Sequence, residues 1–237
     1  MELVAIMSMD YDLDYLEHFL LHYIHQDIEK YHFILHSKQD FQFEHVEGRV
    51  KNMVGNRMGT IDKWVGPFSD KEKVKRQDAL RNPEQWVLFP DSDEFYEFGD
   101  RPNNLLEYKH KEHPDGSSHL LYGYLVDRMA DWTRLPKTID AHENIFEQYP
   151  FSCPMLATSP GVPHKVVAIK GKYRYISPHT GFATPTIYRA DKCEFVKIDH
   201  FRWTTERIPK LWDRSQWSIG ELRVETLDEI ELFIRED

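Results

Sequence analysis

The sequence predicts an α/β fold, a mostly parallel central sheet flanked by helices in a single domain. Three observations carry this expectation. Short apolar runs of the kind found in strands covered on both faces recur at LVAIM (3–7), YHFILH (31–36) and WVLF (86–89). Between them lie segments with helical spacing and capping signals, so strand and helix alternate. No Gly- or Ser-rich linker interrupts the 237 residues, a length common for one α/β domain.

Taken in order, LVAIM is the first strand. Asp14 followed by Glu17 is a capping-box-like start, after which Leu16, Phe19, Leu20, Tyr23 and Ile24 recur at helical spacing. YHFILH is the second strand, completing a strand, helix, strand unit. Residues 37–62 are polar, with strand character around Val50–Val54 and again through Ile61–Val65. Ser69 and Glu72 form a second capping box, opening KEKVKRQDALR as a helix that ends near Asn82-Pro83. WVLF follows as a strand, NNLLEYKHKEH (103–113) reads as helix and HLLYGYLV (119–126) as strand, with Gly123 marking a bulge or a close approach. Beyond it, prolines punctuate short strand-like pieces such as KVVAIKG and TPTIYR, and the last twenty residues carry an amphipathic helical pattern.

Composition narrows the partners. The formal net charge of −10 argues against a protein whose main partner is a nucleic-acid backbone or an anionic membrane. Cys153 and Cys193 stand far apart and in no CxxC pattern, so neither a disulfide framework nor a structural zinc site is indicated. The opening MELVAIMSMDYDLDYL lacks a basic leader and meets acidic residues early, and no apolar run reaches the ~18 residues of a membrane span. A cytoplasmic protein without a membrane span is expected.

The chemistry concentrates at Asp91-Ser92-Asp93, where WVLF ends. Alternate residues of an extended chain point the same way, so two carboxylates can converge there on a hard cation such as Mg²⁺ or Mn²⁺ and a diphosphate. The same tripeptide also suits an Asx turn, and on the residues alone both readings stay open. In open α/β sheets ligands bind beyond the carboxyl ends of the strands, which is where these aspartates fall. On the preceding helix, Lys73 and Arg76 lie one turn apart as candidate phosphate ligands, against the alternative of a solvated basic face. Asp127, directly after HLLYGYLV, and Asp131 are candidates for a general base, with pairing of Asp127 to Arg128 or Arg134 as the alternative. His18, His22 and His25 share a helical face but lack the glutamate of an HExxH and read as structural. His179 and His200 each interrupt a strand-like or aromatic stretch and could serve as metal or diphosphate ligands.

With these residues in view, the chain resembles the GT-A class of nucleotide-sugar glycosyltransferases, in the broad group similar to families 2 and 92. The pieces that carry the resemblance are VAIMSMDYDLDYLEHFLLHYI, YHFILHS, WVLFPDSDEFYEF, GYLVDRMADW, HKVVAIKG leading to SPHTGF, and HFRWTTERIPKLWDR. It implies a GT-A-type, Rossmann-like fold with residues 1–100 as a nucleotide-sugar-binding half and 101–237 as an acceptor-side half. It also implies a donor, most simply a UDP-sugar, held by Ser8, Asp91 and Asp93, beside which Lys73 and Arg76 stand as the donor-site candidates read from the preceding helix; Mn²⁺ or Mg²⁺ on Asp91, Asp93 and His179; and Asp127, with Asp131 second, as base in an inverting transfer to a glycan. Pro90, immediately before the first aspartate, departs from the usual pattern. Two alternatives stand beside it: a non-catalytic carbohydrate-binding module on the same scaffold, and a metal-dependent phosphohydrolase.

Overall fold

The computed structural model describes residues 1–39, 41–99, 104–108, 111–112, 116–131, 135–155, 163–172, 174–175 and 194–205. They divide into two compact units, Met1–Tyr124 with His164–Ile198, and Leu125–Pro163 with the chain from Asp199 onward. His179, TPTIYR and the expected C-terminal helix lie outside the described residues.

The first unit is built on a mixed sheet. Its strands are β1 (Glu2–Ser8), β2 (Lys30–Ser37), β3 (Met58–Val65), β4 (Val87–Leu88), β5 (Glu94–Glu97), β6 (Lys111–Glu112), β7 (Ser118–Met129, its tail in the second unit), β9 (His164–Gly171) and β10 (Phe195–His200, likewise). The order is β3-β2-β1-β4-β9-β7-β10-β5, with β6 added along β7. β3, β2, β1 and β4 run parallel, while β9 joins β4, and β7 joins β9, antiparallel. The expected α/β class and its parallel, Rossmann-like strands are therefore present, and the sheet continues antiparallel past β4.

Helices α1 (Leu16–Ile24) and α3 (Asp70–Leu80) cover opposite faces. Neighbouring residues of β2 show this: the Phe33 ring meets Phe19 of α1 edge-on at 6.4 Å, whereas Ile34 belongs to the core cluster that holds Val74 of α3 with Val4, Ile6 and Phe89. Burial on both faces explains why β1 and β2 read as unbroken apolar runs.

Three local expectations are corrected. Residues 44–54 form helix α2 (Glu44–Val54), not a strand: Val46, Val50 and Val54 are all buried and four apart, a single helical stripe whose β-branched residues imitate a strand. Asp14 caps nothing, because the chain enters α1 through a 3-10 turn at Leu13–Tyr15, with the Asp12 carboxylate instead accepting from Ser8 N at 2.8 Å. Residues 103–113 hold a 3-10 turn at Leu105–Glu107 and the short strand β6, whose pairing with β7 supplies backbone bonds that a weak helical stripe could not outweigh. By contrast Ser69 does cap α3, accepting from Glu72 N at 3.4 Å.

Two glycines are required where they stand. A Cβ on Gly123 would come within 2.6 Å of Val167 and 2.7 Å of Ile198, the close approach its place in a strand suggests. Gly171 ends β9 at φ 112°, and a Cβ there would lie 2.3 Å from Ser117 O. Gly171→Ala is expected to lower stability by about 2–3 kcal/mol, read as a lower urea midpoint at unchanged slope.

In the second unit, β8 (Phe151–Pro154) pairs antiparallel with the tail of β7, Asp127 facing Cys153, and a short helix α4 (Ile145–Gln148) precedes it. Phe146 and Tyr149 meet the Phe201 ring edge-on. No helix among the described residues is long and apolar enough to cross a membrane.

Candidate functional site

The strand order turns at β1 and β4, since the chain proceeds to β2 and β3 on one side and returns to β4 on the other. Such a switch point leaves a crevice outside the carboxyl ends of the two strands. At the end of β1 the loop is tight: Asp12 N donates to Ser8 O at 2.8 Å, and the Asp10 carboxylate accepts from Ser37 Oγ at 3.2 Å and Lys38 N at 2.9 Å, tying the ends of β1 and β2 together. The Ser8 hydroxyl oxygen is buried and makes no hydrogen bond.

β4 is regular over only two residues, but the extended run continues. Phe89 N donates to Val167 O at 3.1 Å, and a parallel bridge pairs Asp91 with Ile6. Between them Pro90, with no N–H, interrupts the ladder. The chain then turns sharply. Glu94 N donates to Asp91 O at 3.1 Å, and in return the Glu94 carboxylate accepts from Asp91 N at 3.0 Å. The polar-turn reading of Asp91-Ser92-Asp93 is thus correct for the backbone, with Glu94 supplying the side chain that closes it.

The carboxylates of this turn face two buried lysines. Lys73, from the second turn of α3, reaches Asp91 Oδ2 at 2.7 Å and Oδ1 at 2.5 Å. Lys165, near the start of β9, lies 2.9 Å from Asp91 Oδ2 and 2.5 Å from Glu94 Oε2. Burial works against a charged Asp91, but Lys165 and Lys73 outweigh it and hold the carboxyl at about 2. Burial likewise works against the Lys165 charge, and Asp91 and Glu94 overcome it, keeping the ammonium protonated well above the ordinary lysine range. Tyr175, stacked on Phe89 at 4.4 Å, buries a hydroxyl with no hydrogen bond, pushed well up by burial, with Lys165 pulling against it.

Among the expected donor ligands, Ser8, Lys73, Asp91 and Asp93 fall at this edge of the sheet. Arg76 turns elsewhere: it pairs with Asp62 at 2.7 Å and Glu72 at 2.9 Å and lies over the Trp64 ring. Lys165 and Glu94, neither among the expected ligands, join Asp91 at this turn. The signal for Lys165 was a lysine inside the apolar strand HKVVAIKG, where it is 3% exposed. Asp127 does not follow a strand end but sits inside β7, wholly buried, accepting from Arg202 at 2.7 Å and 2.8 Å from His200 Nδ1. Asp131 is exposed beyond that strand.

A divalent cation does not fit on Asp91 as it is paired. Ion-to-oxygen distances for Mg²⁺ run about 2.0–2.1 Å, and the ion keeps several waters. Both Asp91 oxygens already face ammonium groups, and Oδ1 is buried away from water. No group of three or more His, Cys, Asp or Glu side chains able to hold a metal occurs among the described residues.

Fold and site together define a mixed α/β chain of Rossmann-like order with a charged cluster at the switch point. No protein-family model and no curated protein matches the sequence. Among solved structures, it is similar to TarS from S. aureus, residues 1–349, at 14% identity and a TM-score of 0.30, over 54% of this chain and 36% of that one. A second TarS structure matches at 12% identity and a TM-score of 0.33, over 72% of this chain and 28% of that one. HddC from Yersinia pseudotuberculosis matches at 12% identity and a TM-score of 0.36, over 90% of this chain and 98% of that one. The chain thus spans about a third of the TarS chains.

Proposed function

We propose that the chain is a cytoplasmic glycosyltransferase that takes a hexose or deoxyhexose from a nucleoside diphosphate sugar, most simply a UDP-sugar. It places the sugar on a carbohydrate hydroxyl with inversion. The observation that carries this reading is the position of Asp91-Ser92-Asp93, at the end of β4 beside β1, where the strand order reverses. On this reading Ser8 and the backbone after β1 face the nucleotide, Asp93 faces the ribose or diphosphate, and Lys73 faces a phosphate oxygen as charge builds on the departing diphosphate. A carboxylate removes the acceptor proton. Asp131 is exposed and suits that task better than Asp127, whose two oxygens are both engaged in a fully buried pair. Mn²⁺ or Mg²⁺ is the co-reactant the sequence resemblance implies, but both Asp91 oxygens are already paired with lysines.

The test is sugar release or transfer from a panel of nucleotide sugars, with and without Mn²⁺, for wild type and Asp93→Ala. One donor is expected to be turned over, and the variant to lose about 100-fold in rate. An unchanged rate in Asp93→Ala would remove that aspartate from the site. The enclosure of Asp127 favours one second reading, a non-catalytic module that binds a nucleotide sugar without turnover. It predicts saturable binding of a donor whose sugar is never released.

A further inference from the structure

We infer that Asp91 is not a metal ligand but the shared counter-ion of a fixed Lys73–Asp91–Lys165–Glu94 chain, and that the Lys73 ammonium takes the place of the cation that would face the donor's phosphates. This rests on the nucleotide-sugar reading above for the identity of the anion. It rests on geometry alone for the role of Asp91.

Three observations support it. Asp91 Oδ2 receives both lysines, at 2.7 and 2.9 Å, and Oδ1 lies 2.5 Å from Lys73 and is cut off from solvent, so both oxygens of Asp91 are already taken by ammonium groups, and an ion with its waters would have to displace a lysine. The chain balances two ammonium groups against two carboxylates, and a divalent ion added to Asp91 would stand against both lysines at close range. The two lysines are also unequal. Lys165 is held between two carboxylates, whereas Lys73, at 7% side-chain exposure as buried as Lys165 at 4%, pairs with Asp91 alone, the more open of the two carboxylates at 28%. An ammonium has three N–H donors, so Lys73 can keep Asp91 and still donate outward to a phosphate oxygen.

The arrangement also says why removing Lys73 should be tolerated. Asp91 would keep Lys165, and Glu94 would keep its turn to Asp91 N. Lys73→Met is therefore the variant that isolates the ligand role, with a thermal melt as the check on folding.

The experiment uses the full chain. Mn²⁺ alone is titrated and free ion followed by electron paramagnetic resonance, for wild type and Asp91→Asn. UDP is then titrated calorimetrically into wild type and Lys73→Met, in EDTA and in Mn²⁺. Expected results are a Mn²⁺ isotherm that Asp91→Asn does not change, UDP affinity within twofold in EDTA and Mn²⁺, and at least a tenfold loss of UDP affinity in a folded Lys73→Met. Mn²⁺ binding that disappears in Asp91→Asn, or UDP binding that requires Mn²⁺, overturns the inference, and an unchanged UDP affinity in Lys73→Met removes the lysine's role. Should Asp91→Asn fail to fold, the wild-type comparison of EDTA with Mn²⁺ decides. If UDP and the wider panel of nucleotides bind under neither condition, the glycosyltransferase reading fails, while the Mn²⁺ isotherm still decides the role of Asp91.

Discussion

Lys165→Met is expected to destabilise the first unit by about 3–5 kcal/mol, the cost of leaving buried charge without its partner. The substitution keeps most of the side-chain volume, so packing changes little. What it removes is the ammonium 2.9 Å from Asp91 and 2.5 Å from Glu94. Asp91 retains Lys73, but Glu94, 5% exposed at its side chain, keeps only neutral donors: Asp91 N at 3.0 Å and the Tyr96 hydroxyl at 3.4 Å. The pH dependence separates this from a packing defect. In wild type the Asp91 carboxyl is held at about 2 against an ordinary 3.8, so its contribution to stability is complete above 3.8 and lost as pH falls through 2. In the variant Asp91 keeps Lys73 but loses the larger of the two charges that hold its carboxyl down, so it takes up a proton at higher pH than in wild type, and that protonation relieves part of the uncompensated buried charge. The stability difference between wild type and Lys165→Met should therefore shrink as urea melts are moved from pH 7 towards pH 3. A difference constant across that range would mean that Lys165 acts by packing alone.

That cluster also marks how far the sequence could be read. β1, β2 and α3 were legible because their signals are local: apolar runs covered on both faces, and a Ser69 cap that bonds Glu72 N as its spacing indicates. The place of Asp91-Ser92-Asp93 was legible too, since a buried strand ahead of it had to end at the edge of the sheet. The task of Asp91 was not. A carboxylate pair offers the same oxygens to a metal ion as to an ammonium, and the choice was made by Lys165, which reaches Asp91 from 74 residues away along the chain. Even Lys73, expected as a candidate phosphate ligand, meets a carboxylate there. α2 was hidden by its composition, because each β-branched valine by itself favours a strand and only their spacing of four marks a helical stripe. β7 shows the opposite failure: HLLYGYLV continues through Asp127, Arg128 and Met129, since a buried ion pair let charged residues extend a strand that polarity alone would have ended.

Asp127→Ala is the counterpart in the second unit and is expected to cost about 3–5 kcal/mol, a fall in Tm on the order of 10 °C. The Asp127 side chain is wholly buried on β7, and its two oxygens are divided between Arg202 and His200. A carboxylate only accepts hydrogen bonds, so His200 must present its proton on Nδ1 to the oxygen 2.8 Å away. Truncation leaves the Arg202 guanidinium, 10% exposed at its side chain, without the carboxylate 2.7 Å from it. Asp127→Asn is the sharper comparison. It preserves shape but offers one oxygen to two donors and turns an N–H₂ group towards either Arg202 or His200, so most of the loss should remain. A catalytic base would behave in the opposite way, with Asn abolishing turnover at nearly unchanged Tm. Melting curves and donor turnover measured on the same preparations of wild type, Asp127→Asn and Asp131→Asn therefore assign the two aspartates. The buried pairs of Asp127 predict the fall in Tm at 127, and the proposed function predicts a fall in rate without a fall in Tm at 131.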